Sequence, residues 1–124
     1  MVDQTKDTFF DKNTPDIILI EYGFNDRSAG YTSQQFKDYY NELIDLLEGH
    51  YPGVPVLCLV PFAQSFATEI EEIASARSYC YLIDTSDYNV TYSDGTHPSA
   101  AGAEEIARRL SADIQEIFSN YYFI

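Results

Sequence analysis

Three short apolar runs constrain this chain more than any other feature: "DIILIEY" at 16–22, "VPVLCLV" at 54–60 and "YCYLID" at 79–84. Each is continuous in aliphatic, β-branched or aromatic side chains rather than alternating with polar ones, which suits a strand covered on both faces. Turn residues punctuate them. Gly23 follows the first, Pro52, Gly53 and Pro61 flank the second, and a polar loop follows the third. The intervals read as helices. Phe36, Tyr40, Leu43 and Leu47 make one apolar stripe, ended by Gly49 and Pro52. Phe66, Ile70, Ile73 and Ala74 make a shorter stripe, and Ile106, Leu110, Ile114 and Ile117 make a last one after Pro98. Strands alternating with helices imply right-handed crossovers between parallel strands. The expected class is α/β, with a parallel sheet built from three βα units.

A length of 124 residues, 45% hydrophobic, suffices for one domain spanning 1–124 with a core of its own. Acids outnumber bases by 20 to 7, a net charge of −13 that repels nucleic acid and anionic lipid surfaces, so neither is an expected partner. Solubility is reason enough for that charge. No apolar run approaches the ~18 residues of a membrane span. The opening "MVDQTKDTFFDKNTPD" has no basic stretch leading into an apolar one, so no secretory signal is expected on this chain, and the compartment stays open. Cys58 and Cys80 have no partner at metal-ligand or redox spacing and read as buried free thiols; no metal and no cofactor is expected.

In a parallel α/β sheet, ligands bind beyond the carboxyl ends of the strands. Two chemically loaded stretches fall there, "GFND" at 23–26 after the first run and "DGTHP" at 94–98 after the third. An aspartate three residues before a histidine can orient an imidazole, and an oriented imidazole can activate a hydroxyl. A short amide such as Asn25, fixed at a strand end, can donate to an oxygen that becomes negative during acyl transfer. Gly23 lets the backbone turn sharply beside it. Plainer accounts exist for each residue alone: Asn25 as a turn former, His97 as an exposed helix-start residue, or Asp94 and His97 as metal ligands without a third.

Taken in order, "PDIILIEYGFND", "YPGVPVLCLVP", "YLID" and "SDGTHPSAAGAEEIA" resemble the second half of the SGNH or GDSL-type hydrolases, from Pro15 to about Phe118. That resemblance implies a flavodoxin-like three-layer α/β/α fold, here with a partial parallel sheet of three βα units because the family's first strands are missing, and an esterase- or lipase-like acyl-ester hydrolase with a Ser-His-Asp triad, acting on small-molecule or carbohydrate esters such as O-acetyl sugars. It places the oxyanion-hole role on Asn25 and Gly23, the general base on His97 and its orienting carboxylate on Asp94. The family's nucleophile lies in a Gly-Asp-Ser block on a first strand, and no "GDS" occurs here. The residues before Asp16 are too few for the missing strands, since one βαβ unit takes about 30. Ser28, Ser65 and Ser93 do not sit at a strand-to-helix elbow. The nucleophile is therefore unknown, the isolated chain is expected to be inactive, and a complementary N-terminal half is the expected partner.

A noncatalytic binding or scaffold protein on the same fold is the alternative. A receiver or nucleotide-binding domain lacks support, because Lys6, Lys12 and Lys37 do not follow strand ends and no phosphate loop is present. Asp84 reads as a loop anchor, Asp26 as a structural hydrogen-bonder beneath the oxyanion loop, and His50 as a helix-end residue favoured by the dipole. Tyr88 and Tyr92 are candidates for stacking on a sugar, although 11 tyrosines make two of them weak evidence. The tail "NYYFI" is expected to pack on the core. With the family's first strands absent, strand 16–22 becomes an unprotected apolar edge, which predicts a homodimer through that edge.

Overall fold

Backbone pairing falls within each of the three apolar runs and stops short of both of their ends. The computed structural model describes residues 14–119 and contains a parallel sheet in the order β1-β2-β3, with β1 at Ile18–Ile20, β2 at Val56–Leu59 and β3 at Cys80–Ile83. Ile18 stands opposite Val56, and Val56 opposite Cys80, so the strands share one register and their carboxyl ends lie on one edge. The strands are shorter than their runs because the flanks already turn. Glu21 and Tyr22 are exposed before Gly23, whose φ of +136° swings the chain off the sheet. Val54 N–H is taken by the Tyr51 carbonyl at 3.2 Å and is lost to the ladder.

Four helices complete the described chain: α1 at Phe24–Ser28, α2 at Ser33–His50, α3 at Ala67–Ser75 and α4 at Ala100–Ile117. Helix α1 was not foreseen, being a single short turn without a stripe. Helix α2 opens with a capping box, Thr32 Oγ1 accepting from Gln35 N–H at 3.1 Å and Gln35 Oε1 accepting from Thr32 N–H at 3.0 Å. Phe36, Tyr40, Ile44 and Leu47 are its buried face, with Leu43 only partly buried beside them. Gly49 does not stop this helix. The helix continues through His50 and ends at Tyr51, because the residue before Pro52 is driven out of the helical region.

Alternate strand residues face two cores. Val56, Cys58 and Cys80 pack with α2 and α3, and the rings of Phe36 and Phe66 stack at 4.1 Å in that layer. Leu57, Leu59 and Ile83 face the other way, against Leu110, Ile114 and Ile117 of α4. This is the expected three-layer α/β/α arrangement. Ile106 is half-buried and lies outside the second cluster, so the α4 stripe is shorter than its periodicity suggests. Cys58 and Cys80 are both buried and free, as expected. A hydrogen bond to Cys58, and then burial, push the Cys80 thiol well above the ordinary cysteine range. No helix among the described residues is long and apolar enough to cross a membrane. The tail "NYYFI" lies outside the described residues.

Candidate active site

The loops leaving the carboxyl ends of all three strands meet around one cleft of about 990 Å³. Glu21 to Asp26 line it after β1, Pro61 to Ala63 after β2, and Tyr92 with Gly95 to Pro98 after β3, while α2 supplies a further wall through Tyr39, Leu43 and Leu46. Asn25 and His97 are thus brought to the same cavity, as the parallel topology requires. Glycine and proline turns at the strand ends shape its floor.

His97 is presented on a small hairpin. Tyr92 and Pro98 form an antiparallel bridge, Ser93 N–H donates to the His97 carbonyl at 2.9 Å, and Gly95 takes the left-handed conformation at the tip with φ +82°. Pro98 is therefore not the first residue of α4. It precedes the N-cap Ser99, whose side chain accepts from Gly102 N–H at 3.1 Å, and its fixed φ serves the hairpin arm instead.

Asp94 grips His97 through both carboxylate oxygens. Oδ1 accepts from the main-chain N–H groups of His97 at 2.7 Å and Thr96 at 3.0 Å, and Oδ2 lies 2.8 Å from His97 Nδ1. The bonds from His97, main chain first and ring second, hold the Asp94 carboxyl well below the usual carboxylate range. The side chains are 77% and 55% exposed, so solvent screens the pair, and its value lies in orientation rather than in stability. With Nδ1 turned to the carboxylate, Nε2 is the nitrogen left to accept a proton.

Gly23 sits where a larger residue cannot. A Cβ there would come within 2.9 Å of Pro61 Cγ and 3.3 Å of the Ser65 carbonyl, in a backbone conformation that already favours glycine. Asn25 follows on α1, exposed toward the cleft. Its side chain has no hydrogen-bond partner among the described residues, so the turn-forming account of Asn25 is not what its amide does. Asp26 lines the same cavity, and its side chain makes no hydrogen bond among the described residues, in contrast with the structural role expected of it.

Of the serines weighed from sequence, Ser65 is buried, Ser28 ends α1, and the Ser93 hydroxyl donates to the His97 carbonyl at 3.2 Å rather than to its ring. Asp84 is the expected loop anchor, accepting from Ser86 N–H at 2.9 Å, a bond that lowers its carboxyl from the ordinary value. The two tyrosine candidates separate. Tyr92 lines the cleft, whereas Tyr88 donates to Asp113 at 2.5 Å, stacks near Phe62 and lies under Arg109. Burial, followed by Asp113, pushes the Tyr88 phenol above its ordinary range. Sequence reasoning missed Tyr22, Phe24, Tyr31 and Tyr39, which line the cleft with exposures between 39% and 50%. The signal for part of this wall was a second stripe on α2, Tyr39, Leu43 and Leu46, beside the core stripe. Among the described residues no group of three His, Cys, Asp or Glu side chains is placed to hold a metal.

Comparison with known proteins bears on the family and the fold. The sequence model of the GDSL-like lipase/acylhydrolase family matches residues 2–110. The cellulase/esterase CelE of Acetivibrio thermocellus is 26% identical over 120 residues, an alignment covering 86% of this chain and 15% of that protein. A family two carbohydrate esterase from Clostridium thermocellum, solved in complex with cellohexaose, superposes with a TM-score of 0.71 at 26% identity over 89% of this chain and 38% of its own. An active-site mutant of such an esterase from the same organism gives 0.71 at 25% identity, over 86% of this chain and 37% of that one. The chain thus spans well under half the length of these relatives. It belongs to the GDSL-like lipase/acylhydrolase family.

Proposed function

We propose that this chain carries the acid–base and oxyanion part of an ester-hydrolysing site for acylated carbohydrates, and that the serine nucleophile comes from a segment outside it. In this reading His97 Nε2 takes the proton of the attacking hydroxyl and later returns it to the leaving alcohol. Asp94 holds the ring and balances the imidazolium that forms. The Asn25 amide, together with the Gly23 N–H, donates to the oxyanion of the tetrahedral intermediate, where one such donor contributes about 2.7 to 4 kcal/mol in a comparable site. The observation that carries the proposal is the 2.8 Å contact of His97 with Asp94 on a hairpin that shares its cleft with Asn25.

The carbohydrate part rests on the cleft's exposed aromatics, which offer flat apolar faces beside polar rims, and on the cellohexaose bound by a solved relative. A noncatalytic carbohydrate-binding role on the same cleft is the second reading, and the same exposed aromatics favour it.

Activity separates the two. The chain alone should hydrolyse p-nitrophenyl acetate at close to the background rate, since loss of a triad nucleophile costs up to about a million-fold. Addition of a Gly-Asp-Ser-bearing first segment of the family, in trans or by fusion, should restore turnover that His97→Ala abolishes. Restored turnover indifferent to His97→Ala, or turnover by the chain alone that vanishes in Ser28→Ala or Ser65→Ala, contradicts the proposal. Cellohexaose binding without any restored turnover favours the binding role.

A further inference from the structure

The loop between β3 and α4 runs along one face of α4 in antiparallel register. Arg109 pairs with the Asp87 carboxylate at 2.8 Å and donates to its carbonyl at 3.1 Å, and the Tyr88 hydroxyl donates to Asp113. One residue further on, Asn89 N–H donates to Glu105 at 3.2 Å. Then Thr91 reaches the first turn, where its carbonyl accepts from Ser99 N–H at 2.9 Å and its hydroxyl lies 2.6 Å from Ser99 Oγ. From Tyr88 onward the contacts step along the helix toward its N-terminus, at Asp113, Glu105 and then Ser99.

At the foot of this ladder the approach is closer than any side chain allows. A Cβ on Gly102 would fall deep inside contact distance of the Thr91 carbonyl oxygen, with the Thr91 nitrogen at 3.1 Å and its carbonyl carbon at 3.2 Å. These are main-chain atoms, pinned by the bonds to Ser99, so they cannot swing aside as a flexible side chain would. The next residues are the hairpin itself, Tyr92 bridged to Pro98 and Ser93 bonded to the His97 carbonyl. The place of His97 is therefore inherited from Thr91, and that of Thr91 from Gly102.

We propose that Gly102 is a positioning residue for His97: its missing Cβ lets the Thr91 main chain seat on the first turn of α4, and that seat sets where the hairpin carries the imidazole over the cleft. The catalytic part of this statement rests on the reading of His97 as general base, whereas the seat does not. The bonds between Asp94 and His97 lie beyond the seat, within the hairpin. Displacing Thr91 accordingly moves the pair as a unit, preserving the ring's alignment to Asp94 and losing its alignment to the opposite wall.

The test compares Gly102→Ala in the full chain with Gly49→Ala, a helical glycine whose Cβ would meet nothing within 4 Å. By NMR hydrogen exchange, the Ser99 amide should exchange at least about tenfold faster in Gly102→Ala and at the parent rate in Gly49→Ala. Parent-like protection of Ser99 in Gly102→Ala overturns the seat. Should Gly102→Ala fail to fold, Ser99→Gly retains an acceptable N-cap while removing the hydroxyl tie to Thr91. The amide at position 99, which still faces the Thr91 carbonyl, should then exchange faster relative to its intrinsic rate, and unchanged protection overturns the proposal equally. With a serine-bearing segment supplied, Gly102→Ala should lower kcat by about a hundredfold, the order expected for a misplacement near 1 Å, with KM little changed. A raised KM at parental kcat refutes the positioning role. Faster Ser99 exchange with no reconstituted activity in the parent counts against the hydrolase reading alone and supports the seat.

Discussion

Asp94 holds His97 at two points, its Oδ1 on the main-chain N–H at 2.7 Å and its Oδ2 on ring Nδ1 at 2.8 Å. A carboxylate used this way is stabilised as the anion, which is why its pKa lies below the ordinary range. Solvent screens so exposed a pair, so its contribution to folding is small, but that contribution has a definite sign. A group whose folded pKa is depressed contributes stability that is present above its unfolded pKa, about 3.9 for aspartate, and that is lost as pH falls through the folded value. We expect the Asp94 carboxyl carbon, followed by NMR, to remain in its ionised position well below pH 3.9. In His97→Ala the midpoint should rise, yet stay below the ordinary value, because the main-chain bonds survive. A midpoint unmoved by His97→Ala contradicts the ring contact.

Gly23 provides a second test, of backbone strain beside the candidate oxyanion loop. Gly23→Ala adds a Cβ at 2.9 Å from Pro61 Cγ in a conformation with φ +136°, whereas Gly30→Ala, at φ +82°, meets nothing within 4 Å. Both substitutions carry a backbone cost of about 1–3 kcal/mol. Only Gly23→Ala adds a steric one. Urea unfolding should therefore rank Gly23→Ala as the more destabilising, and equal losses would show that the loop gives way at Pro61 without cost.

Much of this was legible in the sequence because it is periodic or local. Continuous apolar runs specify buried parallel strands, and parallel strands place "GFND" and "DGTHP" on the same edge, so the meeting of Asn25 and His97 follows from topology. The Asp94–His97 contact spans three residues and needs only a turn, which Gly95 supplies. What stayed hidden is nonlocal. Tyr88 looks like a sugar-stacking residue until Asp113 and Arg109 are brought against it, and Gly102 looks like an ordinary helix residue until the Thr91 main chain is laid on it. Helix α1 escaped notice because a single turn has no period to detect.

Thr85 illustrates the same point in the core beneath the cleft, and it can be tested directly. Only 2% exposed, it donates to the Val60 carbonyl at 2.8 Å and accepts from Gln64 Nε2 at 3.0 Å, tying the end of β3 to the loop after β2. Gln64 itself holds a left-handed backbone with φ +65°, which that bond helps to maintain. Thr85→Val keeps the volume and leaves the Val60 carbonyl unpaired, a loss of about 1–3 kcal/mol. Thr85→Ser, which keeps the hydroxyl, should lose less. Equal destabilisation of the two variants in urea would assign the effect to the methyl group and not to the hydrogen bonds.

The aromatic wall of the cleft leads to the last prediction. Tyr31 and Tyr39 lie 5.5 Å apart between ring centroids, both line the cavity, and Tyr39 is 50% exposed on α2. An exposed aromatic pair is costly to hydrate and gains by covering its faces, which a pyranose ring can do. If the cleft takes a saccharide, Tyr39→Ala should weaken cellohexaose binding by roughly 2- to 12-fold, corresponding to ~0.5–1.5 kcal/mol for one aromatic contact. Tyr79 provides the comparison, because it packs on the α2 and α3 core just before β3, at the opposite end of the strands from the cleft. Tyr79→Phe should leave binding unchanged. Calorimetry showing equal affinity for the parent and Tyr39→Ala would remove this wall from the binding site and leave the loops after the strands as its only contacts.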